Sequence, residues 1–412
     1  MINSSDLNIR HLFAAVSIAQ LGSISRVAEV IHISQPALTH AVNKLEAQLG
    51  HKIFERQNSG VNVTPPGELF LAHVRDGLSR LAMAAQQLRH SAKLKPLTTP
   101  ELHITNTQLR AFLAVLRTGG YTLAARSLQF SQPSIYRAVR ELQFFIGIPL
   151  FTASGTVMRA PEPVRHFGEQ LQLALATIQS GIDELAALDE PGVGRIAVGS
   201  LPLARSALLP SLLARFSRLY PKLSITVAEG QYAELLGGLR NGSIDMMFGA
   251  LRAGFALPDL EQRALFQDEL FVVGRAGHPR AGQSAPPAVL RNHPWVAAAA
   301  GSPMRLIWES FFQDAGVALP ERRVECGSIL LARELMREGE WLGLMSPHQF
   351  RLEEELGVLT RIGGAVPGSV RPIGLTLRRN WRPTAIQRVF LELAEEMAGQ
   401  LPLRTNRDAI PD

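Results

Sequence analysis

A single cysteine, Cys326, occurs in 412 residues, so the chain can form neither an internal disulfide nor a multi-cysteine zinc or iron–sulfur site. That cysteine reads as a small, buried or half-buried side chain. No apolar run reaches the roughly 18 residues that a membrane-crossing helix needs, and Met1 to Arg10 lacks the apolar segment of a secretory leader. No membrane partner is expected, and the cytoplasm is the expected compartment. Catalytic signatures are missing as well. The histidines are scattered, no Ser/His/Asp or paired-carboxylate set has local motif support, and the glycine-rich segments lack phosphate-loop spacing. Neither an enzymatic activity nor a cofactor nor a metal is expected.

With 46% hydrophobic residues the chain can bury substantial cores, and its length suits two or three domains. A formal charge of +6 suits a polyanionic partner, although net charge bears on solubility as much as on ligands. Two joints rich in proline and glycine punctuate the chain. One, 92–106, contains Lys95-Pro96-Leu97-Thr98-Thr99-Pro100; the other runs from Asp189 to Gly194 through Pro191-Gly192. They divide it into 1–91, the linker 92–106, then 107–190 and 194–405.

The first two blocks repeat one another. Laid without a gap at an offset of 97, Leu12 to Phe54 and Leu109 to Phe151 share 12 identities in 43 positions, Ser34-Gln35-Pro36 and Ser131-Gln132-Pro133 among them. Ser34 is expected to cap a helix with Pro36 in its first turn, where a missing N–H costs nothing. Leu38, Val42, Leu45 and Leu49 then form one core-facing stripe and Gly50 stops the run. Ile135, Val139, Leu142 and Ile146 repeat the stripe, with Gly147 as the stop. Upstream of each, an apolar helix and a turn (Gly22-Ser23, Gly119-Gly120) precede a short helix holding Ala28 or Ala125, which is a helix-turn-helix layout. Downstream, Lys52 to Arg56 and Val61 to Thr64 flank a turn at Asn58-Ser59-Gly60 and predict a two-stranded wing. Leu71, Val74, Leu78, Leu81, Ala85 and Leu88 follow as a heptad seam that wants a partner helix. Phe167, Leu171, Ala174, Ile178, Ile182 and Leu185 keep nearly the same rhythm in the second copy.

The third block differs in kind. Strand candidates at Arg195 to Gly199, Ser224 to Ala228 and Ile244 to Gly249 alternate with helices, one ending near Tyr220-Pro221 and one at Tyr232 to Asn241. Such alternation indicates an α/β domain with a mainly parallel sheet, whose ligands sit beyond the strands' carboxyl ends.

These residues together resemble the LysR-type transcriptional regulators. In the first block the likeness rests on Gly22-Ser23, Ala28, Ser34 to Thr39, Leu45-Glu46, Leu49-Gly50, Ile53 to Arg56 and Thr64 to Gly67. In the third it rests on Leu239 to Asp245, Asp268 to Val273, His278-Pro279, Glu338 to Gly343 and Ser346-Pro347. The resemblance implies a multidomain fold: two all-α winged helix-turn-helix modules with linker helices, then an α/β periplasmic-binding-protein-like effector domain of two subdomains. The departure is the additional module, which drifts from the pattern where Ser23 becomes Gly120, Glu46 becomes Gln143, Arg56 becomes Ala153 and Gly67 becomes Val164.

The function so implied is a DNA-binding transcriptional regulator that responds to a small-molecule effector. Its expected partners are double-stranded promoter DNA, the effector, and further copies of the chain joined through the linker helices as a dimer or tetramer, with RNA polymerase as a further candidate. Ser34, Gln35, Pro36, Thr39, His40, Asn43, Lys44 and Arg56 are the candidate DNA contacts, combining base-reading amides with phosphate-seeking cations at a helix N-terminus. A second candidate set is Ser131, Gln132, Ser134, Tyr136, Arg137 and Arg140. Glu141 in place of Lys44, and the apolar Phe144-Phe145, leave two readings of this copy, DNA contact or assembly. For the effector, Ser200 follows the first strand, and the resemblance brings Gln231, Ser302, Arg305 and Ser328 to the same cleft, Arg305 as a carboxylate ligand. The competing reading is a small-molecule-binding protein whose helical modules serve assembly rather than DNA reading.

Overall fold

A computed structural model describes residues 2–57, 60–154, 157–252, 254 and 257–400. The first module comprises α1 (Ile9–Leu21), α2 (Ile24–Ile31), α3 (Gln35–Leu49), β1 (Phe54–Gln57), β2 (Gly60–Val63) and the linker helix α4 (Pro65–Ser91). The second repeats it as α5 (Asn106–Thr118), α6 (Tyr121–Leu128), α7 (Gln132–Ile146), β3 (Thr152–Ser154), β4 (Val157–Arg159) and α8 (Glu162–Asp189). Asn58 and Ser59 of the anticipated wing turn, and residues 401–405 at the anticipated end of the effector domain, lie outside the described residues.

Equivalent forces shape both modules. Gly50 and Gly147 end α3 and α7 in the left-handed conformation, with φ of 73° and 78°, and return an N–H to the last turn. Each wing is tied to the turn after the first helix: Val61 N–H donates to the Gly22 carbonyl at 3.1 Å, and Met158 N–H to that of Gly119 at 2.7 Å. Glu46 is buried because its carboxylate accepts from the N–H groups of Ile53 (2.9 Å) and Phe54 (3.1 Å) and from Lys52 Nζ (2.6 Å). In the second module Gln143 Oε1 accepts from Leu150 N–H at 3.2 Å. The Glu46-to-Gln143 drift therefore keeps the structural task. Ser34 stands at the cap position of α3 with extended backbone, but its hydroxyl accepts no bond from its own helix, whereas Ser131 accepts from Ser134 N–H at 3.3 Å.

The linker seams find their partner inside the chain. A Cβ at Gly77 of α4 would lie 2.6 Å from Ile178 Cγ1 and 2.9 Å from the Ala174 carbonyl; one at Gly181 of α8 would lie 3.1 Å from the Phe70 carbonyl. As α4 descends from 77 to 70, α8 thus rises from 174 to 181, and the two helices pack antiparallel with backbones in close approach. Every residue of both seams is buried, in one core that runs through both modules. Hydrogen bonds cross between modules as well. Asn106 Nδ2 donates to the carbonyls of Ser5 (3.0 Å) and Leu7, its Oδ1 accepts from Ile9 N–H (3.0 Å), and Gln179 Oε1 accepts from Ser4 N–H (2.7 Å). At the helix ends Arg89 donates to the Ile146 carbonyl (2.6 Å), and His51 Nε2 meets the Asp189 carboxylate at 3.1 Å. The joint 92–106 is pinned to α4, with Gln86 bonding both backbone groups of Leu97. Within the chain, each linker helix thus has the other as its packing partner.

The effector domain contains β5 (Arg195–Ser200), α9 (Leu208–Leu219), β6 (Ser224–Glu229), α10 (Tyr232–Asn241), β7 (Met246–Ala250), β8 (Leu260–Asp268), β9 (Phe271–Arg275), α11 (Pro287–Leu290), β10 (Trp295–Ala297) and α12 (Pro303–Gln313). It continues with β11 (Arg323–Glu325), α13 (Ile329–Arg337), β12 (Leu342–Met345), α14 (Pro347–Glu355), β13 (Leu359–Ala365), β14 (Arg371–Arg378) and α15 (Ala385–Gly399). Two five-stranded sheets, ordered β6-β5-β7-β14-β8 and β11-β10-β12-β9-β13, define two subdomains. The chain crosses between them after β8 and returns before β14. The first subdomain rests on both linker helices: Arg382 pairs with Asp76 of α4 at 3.0 Å, while Ala385 N–H donates to Glu184 (2.9 Å) and Arg195 pairs with Asp183 (3.0 Å), both of α8. A polar cavity at this joint is lined by Asp76, Arg80, Arg195, Asp245, Arg378 and Arg382. Burial pushes the Arg378 guanidinium down to about 10, and its Nη1 donates to the carbonyls of Leu239 and Ile244.

Two predictions concern the helical seam. Burial, reinforced by the charge of Arg382 and opposed by Asp76, lowers the pKa of His73 from 6.5 to about 4, so the folded state holds a neutral ring. The unfolded chain protonates first as pH falls. The stability contributed is complete above pH 6.5 and lost on descending to about 4, a span worth about 3 kcal/mol. Thermal unfolding across this range is expected to show a steeper loss for the wild type than for His73→Leu; parallel curves would contradict it. Gly77→Val is expected to cost about 1–3 kcal/mol by overpacking, whereas Gly237→Ala, with nothing within 4 Å of the added carbon, is neutral or mildly stabilising. Equal shifts in unfolding midpoint for the two variants would argue against close α4–α8 packing.

Candidate DNA interface and effector cleft

The stripe on α3 buries Leu38, Ala41, Val42, Leu45 and Leu49 and leaves Gln35, Pro36, His40, Asn43 and Lys44 exposed, with Thr39 half-buried. One helix thus offers a single polar, basic face beginning at its N-terminus, beside the exposed Ser34. Behind it, His11 of α1 is held below the usual imidazole pKa by burial and then by the charges of Lys44 and His40. Nothing in the spacing of α1 singled out His11; its place is set by the α1–α3 crossing. Arg56 lies on β1 opposite Val61, and its side chain falls outside the described residues.

The face of α7 is equally open. Gln132, Pro133, Ser134, Tyr136, Arg137 and Arg140 are exposed around the buried stripe. Tyr136 leans edge-on against Tyr121 with ring centroids 5.4 Å apart, and the Arg140 guanidinium lies 5.8 Å from the Tyr136 ring. Glu141 accepts from Gln108 Nε2 at 3.3 Å. Two cations escaped the residue-by-residue reading of losses. Arg126 of α6 occupies the position of Glu29, and Arg159, exposed on β4, that of Asn62. Of the Phe144-Phe145 pair, only Phe144 is exposed, at 89%; Phe145 packs on His103 of the joint, with ring centroids 5.2 Å apart.

In the effector domain Ser200 ends β5, and Gln231, Ser302 and Ser328 precede α10, α12 and α13 after β6, β10 and β11. All four therefore lie at or just past carboxyl ends of strands in the two sheets, where α/β folds bind ligands. Ser302 and Ser328 cap their helices through Arg305 N–H (3.2 Å) and Leu331 N–H (3.3 Å). Ser200 is completely buried. Arg305, expected as a carboxylate ligand, has its guanidinium engaged within the domain. Its Nε donates to Glu309 at 2.7 Å and its Nη1 to Glu325 at 2.8 Å, the whole side chain being buried across Trp308. Sequence could not disclose this, since Glu325 arrives from a different strand.

Where the chain crosses between subdomains, Asp268 accepts from Ser346 Oγ at 2.5 Å and from Arg371 Nε (3.2 Å) and Nη2 (3.0 Å), all three residues buried. Ser369 Oγ accepts from Leu270 N–H at 3.0 Å. This network fixes the crossing strands. Among the described residues, His278, His293 and Glu340 bring potential metal-ligand atoms within 4.8 Å of one another. His278 Nδ1, however, accepts from Arg280 N–H at 3.0 Å, so in the neutral ring Nε2 carries the hydrogen and offers no lone pair to a metal. No described helix is long and apolar enough to cross a membrane.

Residues 189–399 match the family described as LysR substrate binding domain, and 9–68 and 106–160 each match the bacterial regulatory helix-turn-helix protein, lysR family. The chain is 30% identical over 378 residues to the HTH-type transcriptional regulator GalR of Pseudomonas putida, covering 92% of this chain and 94% of that one. The HTH-type transcriptional regulator PcaQ of Agrobacterium fabrum is 24% identical over 298 residues, which is 71% of this chain and 94% of PcaQ. Among solved structures, a full-length OxyR variant from Pseudomonas aeruginosa and CbnR, a LysR family transcriptional regulator, share the fold with TM-scores of 0.53, at 20% and 22% identity, over 71% of this chain and 98% of theirs. With both of its helical blocks and its α/β domain matched, the chain belongs to the LysR family of transcriptional regulators and is a DNA-binding regulator that responds to a small-molecule effector, not an enzyme.

Proposed function

We propose that α3 enters the major groove of promoter DNA, with Gln35, Thr39, His40 and Asn43 reading base edges and Ser34, Lys44 and Arg56 engaging phosphate. Pro36 acts by shaping the first turn. The single observation behind this reading is the undivided polar and basic face of α3, exposed from its N-terminus onward while every apolar side chain of its stripe is buried. RNA polymerase is the further partner such a regulator would meet at a promoter.

The effector, in the same reading, sits between the two sheets against Ser200, Gln231, Ser302 and Ser328. Backbone N–H groups of helix first turns and serine hydroxyls suit a small molecule bearing carboxylate or hydroxyl oxygens. Closure would move the second subdomain, because the first is bonded to α4 and α8 through Asp76, Asp183 and Glu184. An effector with higher affinity for the closed arrangement would shift the population of that arrangement, and with it the strain on the linker pair.

Footprinting on DNA upstream of its own gene tests the first part. The wild type is expected to protect a discrete region, Gln35→Ala to bind it roughly 5- to 150-fold more weakly, and Lys44→Ala to lower the salt dependence by about one counterion. No protected region, or indifference to Gln35→Ala at every salt concentration, would sink it. For the cleft, Arg305→Met is expected to lower effector-domain stability by about 1 kcal/mol, since half-buried Glu309 loses a charge-assisted partner while exposed Glu325 is taken up by water. Unchanged stability combined with lost thermal-shift response to small carboxylates would instead make Arg305 a ligand.

A further inference from the structure

Building on the reading of α3 as a DNA-reading helix, we propose that one chain is a complete two-headed reader: the second module takes its own half-site, of different sequence, beside the half-site of the first. The geometry comes from the seam. Gly77 and Ala174 face each other across it, and they are also equivalent positions of the repeat, being 97 residues apart. The operation that carries the first module onto the second therefore exchanges the antiparallel helices α4 and α8, which makes it a two-fold relation centred on this pair. Paired reading heads normally come from two copies joined at helix-turn-helix and linker helices in this family; here both heads belong to one polypeptide, and neither seam is left open for a second copy.

The second head is equipped for DNA rather than for assembly. Its wing is tied to the Gly119 turn as the first is to Gly22, and Gln143 anchors that wing as Glu46 does the other. Its reading face is exposed among the described residues. The cations lost at Arg26, Lys44, Lys52 and Arg56 are matched in number by Arg126 on α6, Arg137 and Arg140 on α7, and Arg159 on β4. Glu141, the one added carboxylate on the face, is engaged by Gln108.

The two faces differ in what they can recognise. His40 and Asn43 of α3 become Arg137 and Arg140 on α7. Arginine pairs bidentately with guanine O6 and N7, whereas asparagine favours adenine. The DNA target is thus a pair of unlike half-sites, with guanine contacted in the half under α7, rather than a palindrome. One effector domain, seated on both linker helices, governs both heads.

The test uses full-length protein on the protected region identified with wild type. Hydroxyl-radical footprints of Gln35→Ala and of Gln132→Ala/Arg137→Ala are compared, all three altered residues being exposed so that unfolding midpoints stay at the wild-type value. Each variant is expected to lose protection in a different half, with affinity reduced roughly 5- to 150-fold. Native mass spectrometry on a duplex trimmed to the two halves is expected to find one chain per duplex. Loss of the same half by both variants, no effect of Gln132→Ala/Arg137→Ala, or two chains per trimmed duplex would overturn the proposal. Absence of any wild-type footprint would overturn the DNA-reading assignment itself.

Discussion

The structure depends on the contact of α4 with α8. Gly77 and Gly181 have no side chains where the two helices cross, and a Cβ at either would meet backbone oxygen of the other helix at about 3 Å. Close approach lets the two heptad seams bury one another completely, so two modules too small to support much core singly share one. His73 enters the same seam as a neutral ring. The outward faces of α3 and α7 and the two wings are held in register by this one packing.

The effector domain uses that packing as a foundation. Its first subdomain bonds to Asp76 on one linker helix and to Asp183 and Glu184 on the other. The Asp268–Arg371–Ser346 network holds the strands that cross to the second subdomain, so both subdomains are built onto the one linker pair.

Much of this was legible in the residues and some was not, for identifiable reasons. The offset of 97, the apolar stripes on α3 and α7, and the glycine stops predicted the helices because period and capping are local properties. The heptad seams announced that a partner helix was needed but not which one, since leucine and alanine at such positions suit any similar helix. That choice rests on Gly77 and Gly181, whose value appears only when the other helix is beside them. The pairing of Arg305 with Glu325 was not legible, because Glu325 comes from a separate strand. The second module looked poorer in charge than it is, because its cations moved: position by position, Arg56 is lost at Ala153 while Arg159 is gained at Asn62, on the other strand of the wing. Glu46 to Gln143 read as drift, although both side chains accept a backbone N–H at the start of the wing.

Intrachain pairing of the linker helices can be tested without DNA or effector. In a Cys326→Ser background, His51→Cys and Asp189→Cys place thiols where the native side chains meet at 3.1 Å. Isotopically light and heavy chains, unfolded together, refolded as a mixture and treated with a short bifunctional thiol reagent, are then digested and weighed. Pairing within one chain predicts linked peptides that are wholly light or wholly heavy. Linked peptides of mixed mass, at the statistical frequency of random association, would show that α8 of one copy packs on α4 of another and would contradict it.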